Sequence, residues 1–410
     1  MDDAKGPYDV IVIGAGPSGS VSAAILANYG YRVLVLERQY FPRFSIGESL
    51  LPQSMEFLQQ AGLLQAVVEA GFQYKNGAAF CRGTEYESFD FRKKFSNGWG
   101  TTYQVQRSHF DKVLVDCAEQ RGVQVRYGQR VTGVEQGTDE IAVSVETDEG
   151  EAYRVAARFL LDGSGFGRVL PRLLGLEKSS QLGERVAVFT HVEDRIEDQR
   201  FDRNKILITV HPLHAEVWYW LIPFSDGRAS VGVVLPRAMY ADTGADPLHT
   251  LKRYIQEGGM LEEILSHAVY DTPARILDGY SSNVTRFFGE RFALLGNAGE
   301  FLDPVFSSGV TIALKSASLA ADTLHKQLQG GAPDWEKDYA EPLKVGISTF
   351  KSFVEGWYDG RFQDVIFADD KSSTVKSMIS SILAGYAWDT KNPYVRDPSR
   401  LTTLAELCRR

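Results

Sequence analysis

Gly14-Ala15-Gly16-Pro17-Ser18-Gly19 is a G-x-G-x-x-G run set between an apolar stretch, VIVI, and a small-residue stretch suited to a helix. The spacing answers the needs of a dinucleotide. Gly14 permits a tight turn, Gly16 lets the backbone approach a pyrophosphate, and Gly19 allows close contact between helix and strand. Ser18 lies in the helix start, where free N–H groups and the helix dipole favour negative charge. Glu37 ends the next apolar stretch, 18 residues past Gly19, where a carboxylate accepts both hydroxyls of a ribose. A second loop, Gly296-Asn297-Ala298 with Asp303-Pro304 and Gly309-Val310, stands nearly 300 residues further on. A nicotinamide dinucleotide has no need of it. FAD does, because its ribityl chain and isoalloxazine extend beyond the first nucleotide unit.

Other residue types narrow the chemistry. Trp218 and Trp220, two apart in WYWLIP, share one face of a strand, either as core aromatics or as a wall. A lone lysine such as Lys75 is ordinarily a solvated surface charge. The seven histidines show no metal-ligand spacing, so no metal site is expected, and His109 reads as packing or as a neighbour of the cofactor. Three scattered cysteines make neither a disulfide framework nor a metal site. The net charge of -9, without a dense Lys/Arg block, excludes nucleic acid and anionic membrane as main partners. No apolar run is long enough to span a bilayer. MDDAKGP does not read as a secretory signal, and a cytoplasmic protein is expected.

The elements that must position these residues follow from periodicity. Tyr8–Ile13 and Arg32–Leu36 read as buried strands flanking a helix over Ser18–Tyr29, a βαβ unit. VQVRYG, RFLLDG and RFALLGNAG read as later strands, the last leading into an apolar helix over 309–328. Between 183 and 275 the pattern changes to short strands at Val186–His191, Ile206–Val210, Glu216–Ile222 and Ala229–Val234, expected to form an antiparallel sheet over a substrate pocket. From 332 the tail reads as helical and aromatic, with a loop near Asp369–Ser373. The expected class is α/β. A discontinuous FAD-binding domain (1–182 and 276–331) has part of 72–105 covering the substrate side, with an inserted antiparallel-sheet substrate domain (183–275) and a C-terminal helical segment (332–410).

The two nucleotide loops, with Asp162-Gly163 and Arg107 of VQRSHFD between them, resemble the p-hydroxybenzoate hydroxylase-like FAD superfamily. Its pattern implies that Arg107, Asp162 and Pro304 contact the cofactor. This chain departs from it twice: Asn297 replaces the usual aspartate of Gly-Asp-Ala, and Asp162-Gly163 continues as SGFGR, a partial match. Within that superfamily four motifs, in order, resemble flavin-dependent halogenases of the phenol and carrier-bound pyrrole branch: G-E-S-L-L-P at 47–52, Lys75-Asn76-Gly77-Ala78, W-x-W-x-I-P at 218–223 and D-P-V-F-S-S-G-V at 303–310. Phe306 stands where branches acting on free tryptophan carry a glutamate.

The resemblance implies that FADH2, O2 and chloride or bromide give hypohalous acid, which Lys75 holds or carries as a haloamine. Trp218 and Trp220 wall the flavin from the substrate. Ser308 and Gly309, opening the apolar helix, offer N–H groups to halide. Glu48 is placed at the flavin face, in a catalytic or a hydrogen-bonding role. The implied substrate is a phenolic or pyrrolic aromatic, free or tethered to an acyl or peptidyl carrier protein. With no second nucleotide fingerprint, a separate flavin reductase is expected. An FAD-dependent monooxygenase or a geranylgeranyl-reductase-like oxidoreductase shares the fold and remains the alternative, as does a flavoprotein without turnover.

Overall fold

The computed structural model describes residues 8–241, 246–368 and 372–409. Strand Tyr8–Ile13 runs into Gly14 and then helix Pro17–Asn28, whose proline stands at a first-turn position where no N–H is needed. Val33–Leu36 lies parallel to the first strand, in register Val10↔Val33 to Ile13↔Leu36. Ala152–Asp162 lies parallel on the other side, with Phe292–Leu294 parallel beyond it. Gln124–Arg126 extends the sheet past Val33–Leu36. The carboxyl ends of three adjacent strands therefore open together: Gly163 donates to the Ile13 carbonyl at 2.9 Å and Leu295 to the Asp162 carbonyl at 2.8 Å. Ligands of open parallel sheets bind at that edge.

A second, seven-stranded sheet faces this edge. Its order is Arg275–Asp278, Arg185–Glu193, Arg228–Pro236, Trp218–Pro223, Lys205–Val210, Gly77–Arg82 and Glu85–Asp90. The expectation of an antiparallel sheet over 183–275 is corrected in one respect: the sheet is mixed and takes two strands from the early chain. Lys205–Val210 pairs in parallel with Gly77–Arg82, a strand supplied by the early chain. A parallel pair needs a long crossover, and the intervening chain of over a hundred residues provides it. GAAFCR carries no period-two signal that would mark it as a strand of this sheet.

Both faces of this sheet are buried, by different partners. Phe189, Ile208, Trp218, Trp220 and Ile222 join the main core on one face. Val188, Leu207, Tyr219, Leu221 and Val231 make a separate cluster on the other, with Leu251 and Ile255 of helix Pro247–Gln256. Alternation along Trp218–Pro223 thus sends both tryptophans toward the nucleotide sheet and Tyr219 away from it.

Helix Ser308–Leu328 packs against the first helix, and the tail folds as Glu341–Tyr358, Arg361–Phe367, Ser373–Leu383, Pro393–Arg396 and Arg400–Cys408. Of the expected loop near Asp369–Ser373, residues 369–371 lie outside the described residues; Ser372 caps the next helix by accepting from the Val375 N–H. Among the described residues no helix is long and apolar enough to cross a membrane, and no cluster of His, Cys, Asp and Glu could hold a metal ion.

Candidate active site

The glycine loop is shaped by backbone contact. Gly14 has φ +90°, and a Cβ there would meet the Gly163 carbonyl at 2.8 Å. A Cβ on Gly19 would meet the Gly14 carbonyl oxygen at 1.9 Å, so the third glycine serves helix–strand contact and does not face the cavity. Gly16 and Ser18 do face it. Glu37, buried at the end of its strand, accepts from the Ala15 N–H at 2.7 Å and the Gln39 N–H at 2.8 Å, which fixes its carboxylate on the cavity wall.

The cavity measures about 550 Å³, within the range of cofactor sites. It runs from the glycine loop past Arg107 to Asn297, Pro304, Gly309 and Val310. Asp162 is not on its wall, contrary to expectation. Its carboxylate is fully buried and turned inward, accepting from the Ser164 N–H at 2.9 Å and the Leu170 N–H at 2.7 Å. It therefore holds the loop whose Gly163–Gly167 backbone lines the cavity.

Two arginines unforeseen in the sequence support these loops. Arg43 lies 3.2 Å from Asp111 and 3.8 Å from Glu37, with its buried Nε unpartnered, above Gly16. Arg107 makes a two-pronged bond to the same Asp111 at 2.7 and 2.9 Å and donates to the Ile46 carbonyl. One buried carboxylate thus spaces two cations along the cavity. Arg168 donates to the Asn297 carbonyl at 3.2 Å and to Ser282 Oγ at 2.7 Å, bracing the second nucleotide loop. The SGFGR departure was the only signal of it.

At the inner end stand the residues of G-E-S-L-L-P. Glu48 is 2% exposed and shares a 2.6 Å hydrogen bond with His191 Nε2, a histidine that no spacing singled out. His109, by contrast, packs on Phe72 with ring centroids 4.9 Å apart. Ser49 is on the cavity wall, and behind it lies Lys75, wholly buried. The lysine amine donates to Ser49 Oγ and the Leu50 carbonyl, both at 2.7 Å, with the Phe91 ring centroid 5.5 Å away. Burial without a carboxylate partner lowers its pKa from 10.5 to about 7.

Trp218 and Trp220 close the cavity on the opposite side, their ring centroids 6.0 Å apart. Each indole N–H is tied, Trp220 to Ser230 Oγ at 3.0 Å and Trp218 to the Tyr358 hydroxyl at 2.9 Å. Tyr358 in turn donates to Asp303 at 2.8 Å, as Tyr280 does at 3.1 Å, and the other Asp303 oxygen accepts from the Val305 N–H. Burial pushes the Asp303 carboxyl up, and these donors oppose the shift. Ser307 adopts φ +55° and leads into Ser308, which is buried, while Gly309 and Val310 reach the cavity. Phe306 packs edge-on against Phe362 and Trp357.

A family model described as FAD binding domain matches residues 7–342. The flavin-dependent halogenase armH1 of Armillaria mellea is 30% identical over 83% of this chain and 69% of its own length. The chain belongs to the flavin-dependent halogenases. It is thus an FAD-dependent halogenating oxidoreductase, and its fold class is that of the family. The cradle fits FAD: two glycine-shaped loops meet at one cavity, and a buried Arg43 Nε is left without a protein partner beside the phosphate-binding loop. Another relative is the 1H-pyrrole-2-carbonyl-[peptidyl-carrier protein] chlorinase of Pseudomonas fluorescens, 27% identical over 96% of this chain and 92% of its own. A solved flavoprotein/dehydrogenase from Cytophaga hutchinsonii is 42% identical, with a TM-score of 0.95 over 98% of this halogenase-family chain and 99% of its own.

Proposed function

We propose that this flavin-dependent halogenase chlorinates or brominates a phenolic or pyrrolic ring at Lys75, using hypohalous acid made in the flavin cavity. The observation that carries the reading is the buried amine at 2.7 Å from Ser49, a residue of the cavity wall. Bound reduced FAD supplies the two electrons that, with O2, halide and one proton, yield FAD, hypohalous acid and water. Ser308 and Gly309 open a 21-residue helix, where N–H groups and dipole favour halide. Trp218 and Trp220 bar direct contact between flavin and ring. Near neutral pH both forms of Lys75 are populated: the ammonium donates to a hypohalite oxygen, and the neutral amine takes the halogen as a haloamine with release of water. Glu48, held by His191, positions the G-E-S loop on the cavity wall.

The pyrrole chlorinase relative supports a carrier-tethered ring as substrate, and a separate reductase is the source of reduced flavin. The reading places the enzyme in the cytoplasm. It assigns 1–182 and 276–331 to FAD and 183–275, joined by strands of 77–90, to the substrate side, with 332–410 closing the site. Supplied with reduced FAD, O2 and bromide, the protein is expected to brominate a diketone scavenger in a bromide-dependent manner. Lys75→Ala is expected to retain FAD and lose at least 100-fold in aromatic halogenation; an unchanged product yield removes the lysine from the reaction. The name of the 42% identical structure favours a second reading, a flavin oxidoreductase without halide chemistry, for which scavenger bromination would be absent.

A further inference from the structure

Lys75 sits on a short antiparallel pairing, Gln73–Lys75 with Thr102–Gln104, extended by a bridge from Gln104 to Ser49. Directly opposed residues share a face of such a ladder, as do residues two apart. Lys75, Thr102, Gln104 and Ser49 therefore point the same way, with Thr102 opposite the lysine and Gln104 between it and the Ser49 strand. Thr102 and Gln104 are each 1% exposed. The Gln104 amide is oriented by its Nε2, which donates to the Arg203 carbonyl at 3.2 Å, so its Oε1 is the end left over. That Oε1 and the Thr102 Oγ1 are both buried without a hydrogen-bond partner. An unpaired buried polar group is costly, and an amide oxygen and a hydroxyl both stand unpaired on the face that carries the buried amine.

We propose that Thr102 and Gln104 form a substrate subsite that binds the hydrogen-bond donor of the ring, a phenolic O–H or a pyrrole N–H, and so turns a ring carbon toward Lys75. The inference rests on the halogenase reading and names what the site selects. The Gln104 oxygen accepts and cannot donate, so its contact discriminates for a donor, while the Thr102 hydroxyl adapts to either role. Electrophilic attack also places positive charge on the ring and makes its O–H or N–H a stronger donor. The Gln104 contact thus tightens as the carbon–halogen bond forms, which is the condition for it to accelerate reaction.

The test is equilibrium binding to the holoenzyme with oxidised FAD, read by tryptophan fluorescence, using resorcinol and 1,3-dimethoxybenzene. Both are electron-rich rings, and only resorcinol carries a donor. Wild type is expected to bind resorcinol about tenfold or more tightly than the ether. Gln104→Met and Thr102→Val, close in shape, are each expected to bring that ratio toward one. A preference due to size alone survives both substitutions and overturns the proposal. So does equal binding, or no binding of either ring, by wild type. Because neither reduced flavin nor halide is present, the halogenase reading fails on its own test, absent scavenger bromination, whatever this ratio proves to be.

Discussion

At the Lys75 amine, charge and burial conflict. Its pKa in the folded chain falls to about 7 from 10.5, so between these values the unfolded chain binds more protons than the folded one. Stability therefore rises with pH through that window, by on the order of 4 kcal/mol if the whole shift is expressed. Denaturant unfolding of wild type and Lys75→Met from pH 7 to 10 is expected to show the slope in the first and its loss in the second; equal slopes would mean the amine is solvated. Sequence alone gave no reason to expect burial of this lysine; only the motifs around it did. Arg43, His191 and Tyr358 were not legible at all. Each acquires its place from a neighbour remote in sequence, Asp111, Glu48 and Trp218 respectively. Asp162 was legible as important but misread in direction, because a motif fixes the backbone and leaves open which way a short carboxylate turns.

At the scale of elements, the tryptophan wall depends on an absence of side chain. Gly232 lies opposite Trp220 in the sheet, and a Cβ there would meet the indole at 2.3 Å. Gly232→Ala is expected to displace Trp220 while leaving Lys75 and the glycine loop intact. Peroxide released per flavin oxidised should rise and halogenated product should fall by several-fold; a wild-type ratio in an oxygen-electrode and peroxide assay would show that the wall does not govern coupling. The strand carrying the tryptophans was legible from its alternation, and so were the strands of the nucleotide unit, bounded by glycines that a tight turn demands. Gly77–Arg82 was not. An almost uniformly buried strand of small and apolar residues has no period to read, and its parallel partner lies far along the chain.

Across the whole molecule, the flavin cavity is walled by strands, helices and loops belonging to both large sheets, from Gly14 through Arg107 and Trp218 to Val310. FAD therefore adds a further bridge between two sheets already joined by the strand Gly77–Arg82. At a free concentration 100-fold above its Kd it is expected to add about 2.7 kcal/mol to the folded state, seen as a higher melting temperature in calorimetry. Coincident melting curves with and without FAD would contradict the bridging. The α/β class and the helical tail were legible at this scale from the change of periodicity along the chain. The division of labour between the sheets was not, since it depends on a strand that leaves the early chain to join the later sheet. That borrowed strand has an evolutionary consequence. Because residues 77–90 are woven into the far sheet beside Lys205–Val210, a gene segment coding only 183–275 would carry an incomplete sheet with an open edge. A graft of the second sheet must therefore carry 77–90 along with 183–275 to keep that edge paired.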